Sequence, residues 1–226
     1  MTRKLFWPDP YRAALATRVA AVAGEEVRLE ETIFYALSGG QESDRGTIGG
    51  RPVLEARKEG PEIVYRLPEG HGLRPGQAVR VEIDWPRRYR LMRLHFAAEV
   101  VLELVYRRLP GTAKTGAHIA EDKARIDFEH QGSLAPLLPE LQAEAQGIVA
   151  ADHAIESGFS DEAAERRYWK IPGLAEVPCG GTHLRRTGEI GEITLRRRNP
   201  GKGRERIEIH VDERAPPPAS GLAPAQ

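Results

Sequence analysis

The chain has 226 residues, with 33 Lys plus Arg against 33 Asp plus Glu, so its formal net charge is zero. At 40% hydrophobic and 29% charged it is too apolar for a disordered chain and too polar for a membrane protein. The single cysteine, Cys179, excludes an internal disulfide framework and a four-cysteine zinc site, while a neutral total argues against a global grip on nucleic acid but leaves local patches open.

The first ten residues lack the apolar core of a signal peptide, and no stretch is apolar enough to cross a bilayer, so the chain reads as cytoplasmic. Residues 17–84 read as β. Segments 17–22 and 27–35 alternate around a turn at Gly24 like a hairpin, and further short strands are predicted at 46–48, 51–57, 62–67 and 78–83. Gly and Pro punctuation separates them, which predicts a small barrel or sandwich. A proline and a basic run at residues 84–90 mark a boundary. Residues 91–109 then predict a helix apolar nearly all round, hence buried, stopped by Pro110-Gly111. Two short strands follow at 116–120 and 124–129. A second helix is predicted over 137–154, and Ser160-Asp161-Glu162 is placed to cap a third. The end returns to β at 189–196 and 204–211, around Asn199-Pro200-Gly201. The expected organisation is α+β: a β domain over 1–86, an α+β domain over 87–214, and a Pro/Ala-rich disordered tail over 215–226.

Two segments carry chemistry. His95 and Glu99 stand at i and i+4 on one face of the apolar helix. A buried carboxylate needs a partner, although a His-Glu pair on an exposed strip reads the segment equally well. Downstream, Cys179-Gly180-Gly181-Thr182-His183 puts a thiol and an imidazole on one loop, where two glycines permit a tight turn. Sulfur and nitrogen donors suit zinc, a Cys-His nucleophile pair is a second option, and an inert core cysteine is the plain one.

The neighbours of these residues carry a resemblance. Cys179-Gly180-Gly181-Thr182-His183, followed by Arg186-Thr187-Gly188-Glu189-Ile190-Gly191, is similar to the signature of the editing domain of alanyl-tRNA synthetase and of its freestanding relatives, the AlaX family of alanyl-tRNA editing proteins. Three further stretches match in order: Phe34-Tyr35 through Gly39-Gly40-Gln41 to Ile48, Arg93 to Glu99, and Asp122 to Phe128. The resemblance covers about residues 9–211 and implies a translation-factor-like β-barrel followed by an α+β editing domain of the threonyl/alanyl-tRNA synthetase type. It implies hydrolysis of mischarged tRNA(Ala), chiefly Ser-tRNA(Ala) and in some members Gly-tRNA(Ala), with bound zinc. The family's zinc ligands map onto His95, Cys179 and His183; the fourth, a histidine in the family, falls at Glu99. Glu99 is then a ligand, a general base, or the mark of a site that has lost its metal, and in the last case the chain is a non-catalytic RNA-binding relative.

Several roles follow. Thr182 and the backbone N–H groups of Gly180 and Gly181 are candidates for holding the oxyanion, with a local turn hydrogen bond the favoured plain reading of Thr182. Thr115 and Gly116 lie where the family's substrate pocket wall is expected, Thr115 as partner of the seryl hydroxyl. Charge is segregated along the chain: residues 131–165 hold seven acids and no Lys or Arg, whereas 185–206 hold eight basic residues against three Glu. Arg87 and Arg88, with Arg185, Arg186, Arg196, Arg197, Arg198, Lys202, Arg204 and Arg206, are the candidate contacts to the tRNA acceptor end. A solvated hairpin is the plain alternative for the second group.

Overall fold

The computed structural model describes residues 2–201 and 203–220, and the chain divides into two compact units. The first unit comprises the residues up to Ser38, Glu42–Tyr89 and the stretch from Ala215. The second comprises Gly39–Gln41 and Arg90–Arg214.

In the first unit β1 (Arg3–Lys4) pairs in parallel with β4 (Glu31–Thr32). β2 (Ala14–Ala23) and β3 (Glu26–Leu29) form the expected hairpin, and Gly24 supplies the positive φ of +62° that the tight turn requires. The remaining strands are β5 (Gly46–Ile48), β6 (Arg51–Pro52), β7 (Glu55–Glu59), β8 (Glu62–Arg66) and β9 (Ala78–Ile83). They assemble in the order β6-β5-β9-β2-β3-β8-β7, so the two end strands are consecutive in the chain and only residues 53–54 separate them. Alternation along β9 (exposed, buried, exposed, buried) sends Val79, Val81 and Ile83 inward, where Leu29, Ile33, Phe34, Ile48, Val64 and Tyr65 are fully buried.

Helix α1 (Trp85–Arg108) begins in the first unit, where Tyr11, Trp85 and Tyr89 form an aromatic cluster. From Arg90 onward it belongs to the second unit. Leu91, Leu94, Phe96, Ala97, Val100, Val101 and Leu104 are inaccessible there, which agrees with a sequence apolar nearly all round.

The main sheet of the second unit is antiparallel, in the order β10 (Ala113–Ile119), β11 (Ala124–Glu129), β16 (Arg204–Val211), β15 (Ile193–Gly201). Helix α2 (Leu138–Ala150) covers the edge strand β15. Gln142 Oε1 accepts the N–H of Leu195 at 2.8 Å and Gln146 Oε1 that of Ile193 at 3.0 Å, so the strand's unpaired donors are satisfied by side chains.

Three expectations are corrected. Ser160-Asp161-Glu162 caps no helix: β12 (Glu156–Asp161), β13 (Arg166–Ile171) and β14 (Ala175–Pro178) form a three-stranded antiparallel sheet. Alternation along Arg166 to Ile171, with Arg167, Trp169 and Ile171 buried, is a strand period that the acidic composition upstream obscured. The strand expected from residue 189 starts at Ile193, because Thr187–Ile190 closes as a single 3₁₀ turn. Nor is 215–220 loose. Trp85 Nε1 donates to Pro217 O at 2.7 Å, Ala13 N to Ser220 O at 2.9 Å and Ser220 N to Tyr11 O at 3.0 Å. The remainder of the expected tail, residues 221–226, lies outside the described residues.

Candidate metal centre and editing site

α1 delivers His95, buried at 5% exposure, to the loop that follows β14. His95 Nε2 stands 3.2 Å from Cys179 Sγ, and His183 Nε2 approaches the same sulfur at 3.3 Å. The three donor atoms lie within 4.8 Å of one another. One sulfur and two imidazole nitrogens, converging and largely buried, fit a divalent ion such as zinc. Glu99 lies directly against that cluster. Its Oε1 lies 3.4 Å from His95 Nε2 and 3.6 Å from Cys179 Sγ, while its Oε2 accepts Trp169 Nε1–H at 3.2 Å. Of the four expected ligands, three have donor atoms within 4.8 Å of one another, and the Glu99 oxygen lies 3.4 Å and 3.6 Å from two of these.

The surroundings set the protonation pattern. Burial works against a charge on His95, but the Cys179 sulfur and the Glu99 carboxylate outweigh it and push the imidazole up to about 10. Burial likewise opposes the Glu99 charge, yet its hydrogen bonds with His95 and Trp169 hold the carboxyl down to about 2. Burial and the neighbouring His95 charge drive His183 down to about 3, so that ring is neutral. Ser157 Oγ on β12 meets His183 Nδ1 at 2.9 Å, which leaves Nε2 aimed at the sulfur.

The glycines do a different job from the one expected. Neither Gly180 nor Gly181 has a positive φ. Gly181 is needed because the His95 ring lies against it, whereas a β-carbon on Gly180 would meet nothing within 4 Å. Thr182 makes no local turn bond through its hydroxyl's strongest contact. Its Oγ1 accepts Gln41 Nε2–H at 3.0 Å across 141 residues of sequence. Gln41 is fully buried, its backbone bridges to Ile119 at the end of β10, and its Oε1 has no hydrogen-bond partner among the described residues. Sequence reasoning missed it as a site residue, although it stands in the glycine motif Gly39-Gly40-Gln41. Gly40 is demanded there because a β-carbon would sit 2.6 Å from Ala117 O.

Thr115 is exposed at a bulge of β10 and lines a hollow with Glu129, Gln131, Gly203 and Arg204. Gly116 sits against Asp127. Thr115 is four residues from Ile119, about 13 Å along the strand. Arg87 and Arg88 are turned into the protein rather than toward a ligand. Arg88 is inaccessible, forked onto Asp44 and donating to Ile33 O at 2.7 Å, and Arg87 is paired with Glu42 at 2.6 Å. Of the basic hairpin, Arg197 pairs with Glu205, Arg198 with Glu208 and Arg206 with Asp127, while Arg186 pairs with Asp152. Arg185, Arg196 and Arg204 are exposed, and Lys202 lies outside the described residues.

Comparison with known proteins defines the class first. Residues 170–208 match the family model described as the threonyl and alanyl tRNA synthetase second additional domain. An "Alanyl-tRNA editing protein AlaX-M" of Pyrococcus horikoshii is 32% identical, covering 94% of this chain and 99% of its own length. The protein of the same name from Saccharolobus solfataricus is 35% identical, covering 93% and 99%. An "Alanine--tRNA ligase" of Pyrobaculum aerophilum is 33% identical over 87% of this chain but only 25% of its own length. The chain belongs to the alanyl-tRNA editing proteins of the AlaX family.

Proposed function

We propose that the protein is a trans-editing hydrolase of mischarged tRNA(Ala), acting chiefly on Ser-tRNA(Ala) and also on Gly-tRNA(Ala), in the cytoplasm. The observation that carries this reading is the convergence of His95 Nε2, Cys179 Sγ and His183 Nε2 in a family whose relatives are named for alanyl-tRNA editing. These three residues would hold zinc, which when bound supplies a Lewis acid able to polarise an ester carbonyl. Glu99 has one oxygen tied to Trp169 and the other directed at the cluster, a position that serves a fourth ligand or a base; we take it as the base. Glu99 Oε1 takes a proton from the attacking water as the new carbon–oxygen bond forms, and the proton passes to the ribose oxygen as the ester bond breaks. The N–H groups of Gly180 and Gly181 stand beside Cys179 as donors to the oxyanion, and the Gln41–Thr182 pair borders the same loop. Thr115 and Gly116 on β10 are kept as the proposed wall of the substrate pocket, with Thr115 as partner of the seryl hydroxyl. Arg185, Arg186, Arg196, Arg198 and Arg204 are exposed cations proposed to meet the acceptor end. In the first unit we read the sheet as a small barrel that closes where residues 53–54 carry the chain from β6 to β7.

The deciding experiment is release of serine from Ser-tRNA(Ala) by the purified protein, with Ala-tRNA(Ala) as control. Selective release supports the reading. RNA binding without hydrolysis of Ser- or Gly-tRNA(Ala) at saturating, zinc-supplemented protein assigns the chain to a non-catalytic RNA-binding role instead.

A further inference from the structure

The three-stranded sheet that replaced the expected helix carries one face toward the site. In antiparallel register Phe159 on β12 lies opposite Arg167 on β13, and Arg167 O accepts the N–H of Cys179 at 2.9 Å just beyond β14. Phe159, Arg167 and Cys179 therefore form one cross-strand row. The next row begins with Ser157, which holds His183, and Trp169, which holds Glu99. Side chains two apart on a strand share a face, so Ser157 and Phe159 point the same way, as do Trp169 and Arg167. Tyr168 lies on the opposite face, packed across Gly158.

Arg167 is buried at 6% exposure, and its guanidinium carbon stands 5.0 Å from the Phe159 ring centroid. Phe159 is 38% exposed. Among the described residues three large hydrophobic side chains are exposed, Leu37, Leu54 and Phe159, and only Phe159 is aromatic. The ring thus stands at the surface, backed by a buried cation and in register with the cysteine that both imidazoles approach. Two strand spacings separate its backbone from that of Cys179, about 10 Å, which is the reach of a nucleoside.

We infer that Phe159, backed by Arg167, is the stacking platform for the terminal nucleobase of the RNA whose ester enters the His95–Cys179–His183 site. The inference rests on the editing reading and adds to it the residue that holds the base. Every nucleobase has a π-face, so an aromatic ring holds the end of a strand without reading its sequence, and the guanidinium behind it fixes the ring in place. The metal-side loop needs only the ester, and the platform supplies binding energy from the non-reacting part of the substrate.

The test uses an uncharged stem-loop RNA with a single-stranded 3′ end, a fluorescein at its 5′ end and 2-aminopurine as its terminal base. Anisotropy reports binding and 2-aminopurine quenching reports stacking. Wild-type protein should raise the anisotropy and quench the base. Phe159→Ala should bind roughly 5- to 100-fold more weakly without quenching. Phe159→Trp should restore both signals, and Phe159→Leu, which keeps the bulk but not the ring, should restore neither. In hydrolysis of Ser-tRNA(Ala), Phe159→Ala should raise KM with kcat kept. Equal quenching by wild type and Phe159→Ala overturns the platform while leaving the hydrolase reading intact. Absence of any anisotropy change with wild type, together with no serine release, overturns both.

Discussion

A β-carbon on Gly181 would stand 2.3 Å from His95 Cε1, so the loop and the helix can approach this closely only as glycine against imidazole. Gly181→Ala should therefore push His95 out of the cluster and abolish stoichiometric zinc binding, measured by elemental analysis after zinc supplementation. Gly180→Ala should keep its zinc, because its β-carbon would enter open space. Full zinc in Gly181→Ala would show that the close approach is not what places His95.

Cys179 is the point on which both imidazoles converge. Cys179→Ala should lose zinc binding and serine release together, and the cobalt-substituted protein should lose its thiolate-to-metal charge-transfer band. Retained metal with full activity would remove Cys179 from the centre.

Ser157 holds the far nitrogen of His183, a contact whose loss typically weakens a metal site about 10- to 100-fold. Ser157→Ala should raise the zinc dissociation constant by that factor in competition with a chelator, with the far-ultraviolet circular dichroism unchanged. An unaltered affinity would mean that packing alone orients the ring.

In the first unit the buried Arg88–Asp44 pair is structural. Arg88→Ala leaves Asp44, which also accepts Tyr35 N–H at 2.7 Å, as an uncompensated buried charge. The expected loss is about 3–5 kcal/mol in urea unfolding. The same measurement on Arg88→Met with Asp44→Leu should recover part of it, since the apolar pair removes the buried charge but leaves Tyr35 N–H and Ile33 O without their partners.

Glu205 is held below the ordinary carboxylate range by its hydrogen bonds with Arg197 and then with Leu134 N–H. Its contribution to stability is present above the unfolded value, about 4.3, and is lost as pH falls through the lower folded value. The stability of Glu205→Gln relative to wild type should accordingly be lower at neutral pH and converge with it in acid. A difference constant with pH would assign the effect to packing.

Much of the local structure was legible in the chain. The hairpin around Gly24, the helix buried on nearly every side and the donor types of the site follow from period, punctuation and side-chain chemistry. Local signals failed where a polar strand carried few β-branched residues. Residues 156–161 are mostly exposed, so their period was silent and an acidic cluster read as a cap.

What the sequence determined by itself is the inventory: one thiol, two histidines within reach of motifs, a carboxylate one turn along a buried helix, and a family signature around them. Tertiary structure decided which of these meet. His95 and Cys179 are 84 residues apart and Gln41 and Thr182 are 141 apart, and pairing over such separations is set by which apolar faces pack, not by neighbours in the chain. The same holds for charge. The arginines of the last hairpin counted as a cationic run, but folding sets Arg197, Arg198 and Arg206 against Glu205, Glu208 and Asp127. Cross-strand neighbours, not linear ones, decide which of these charges face an acid.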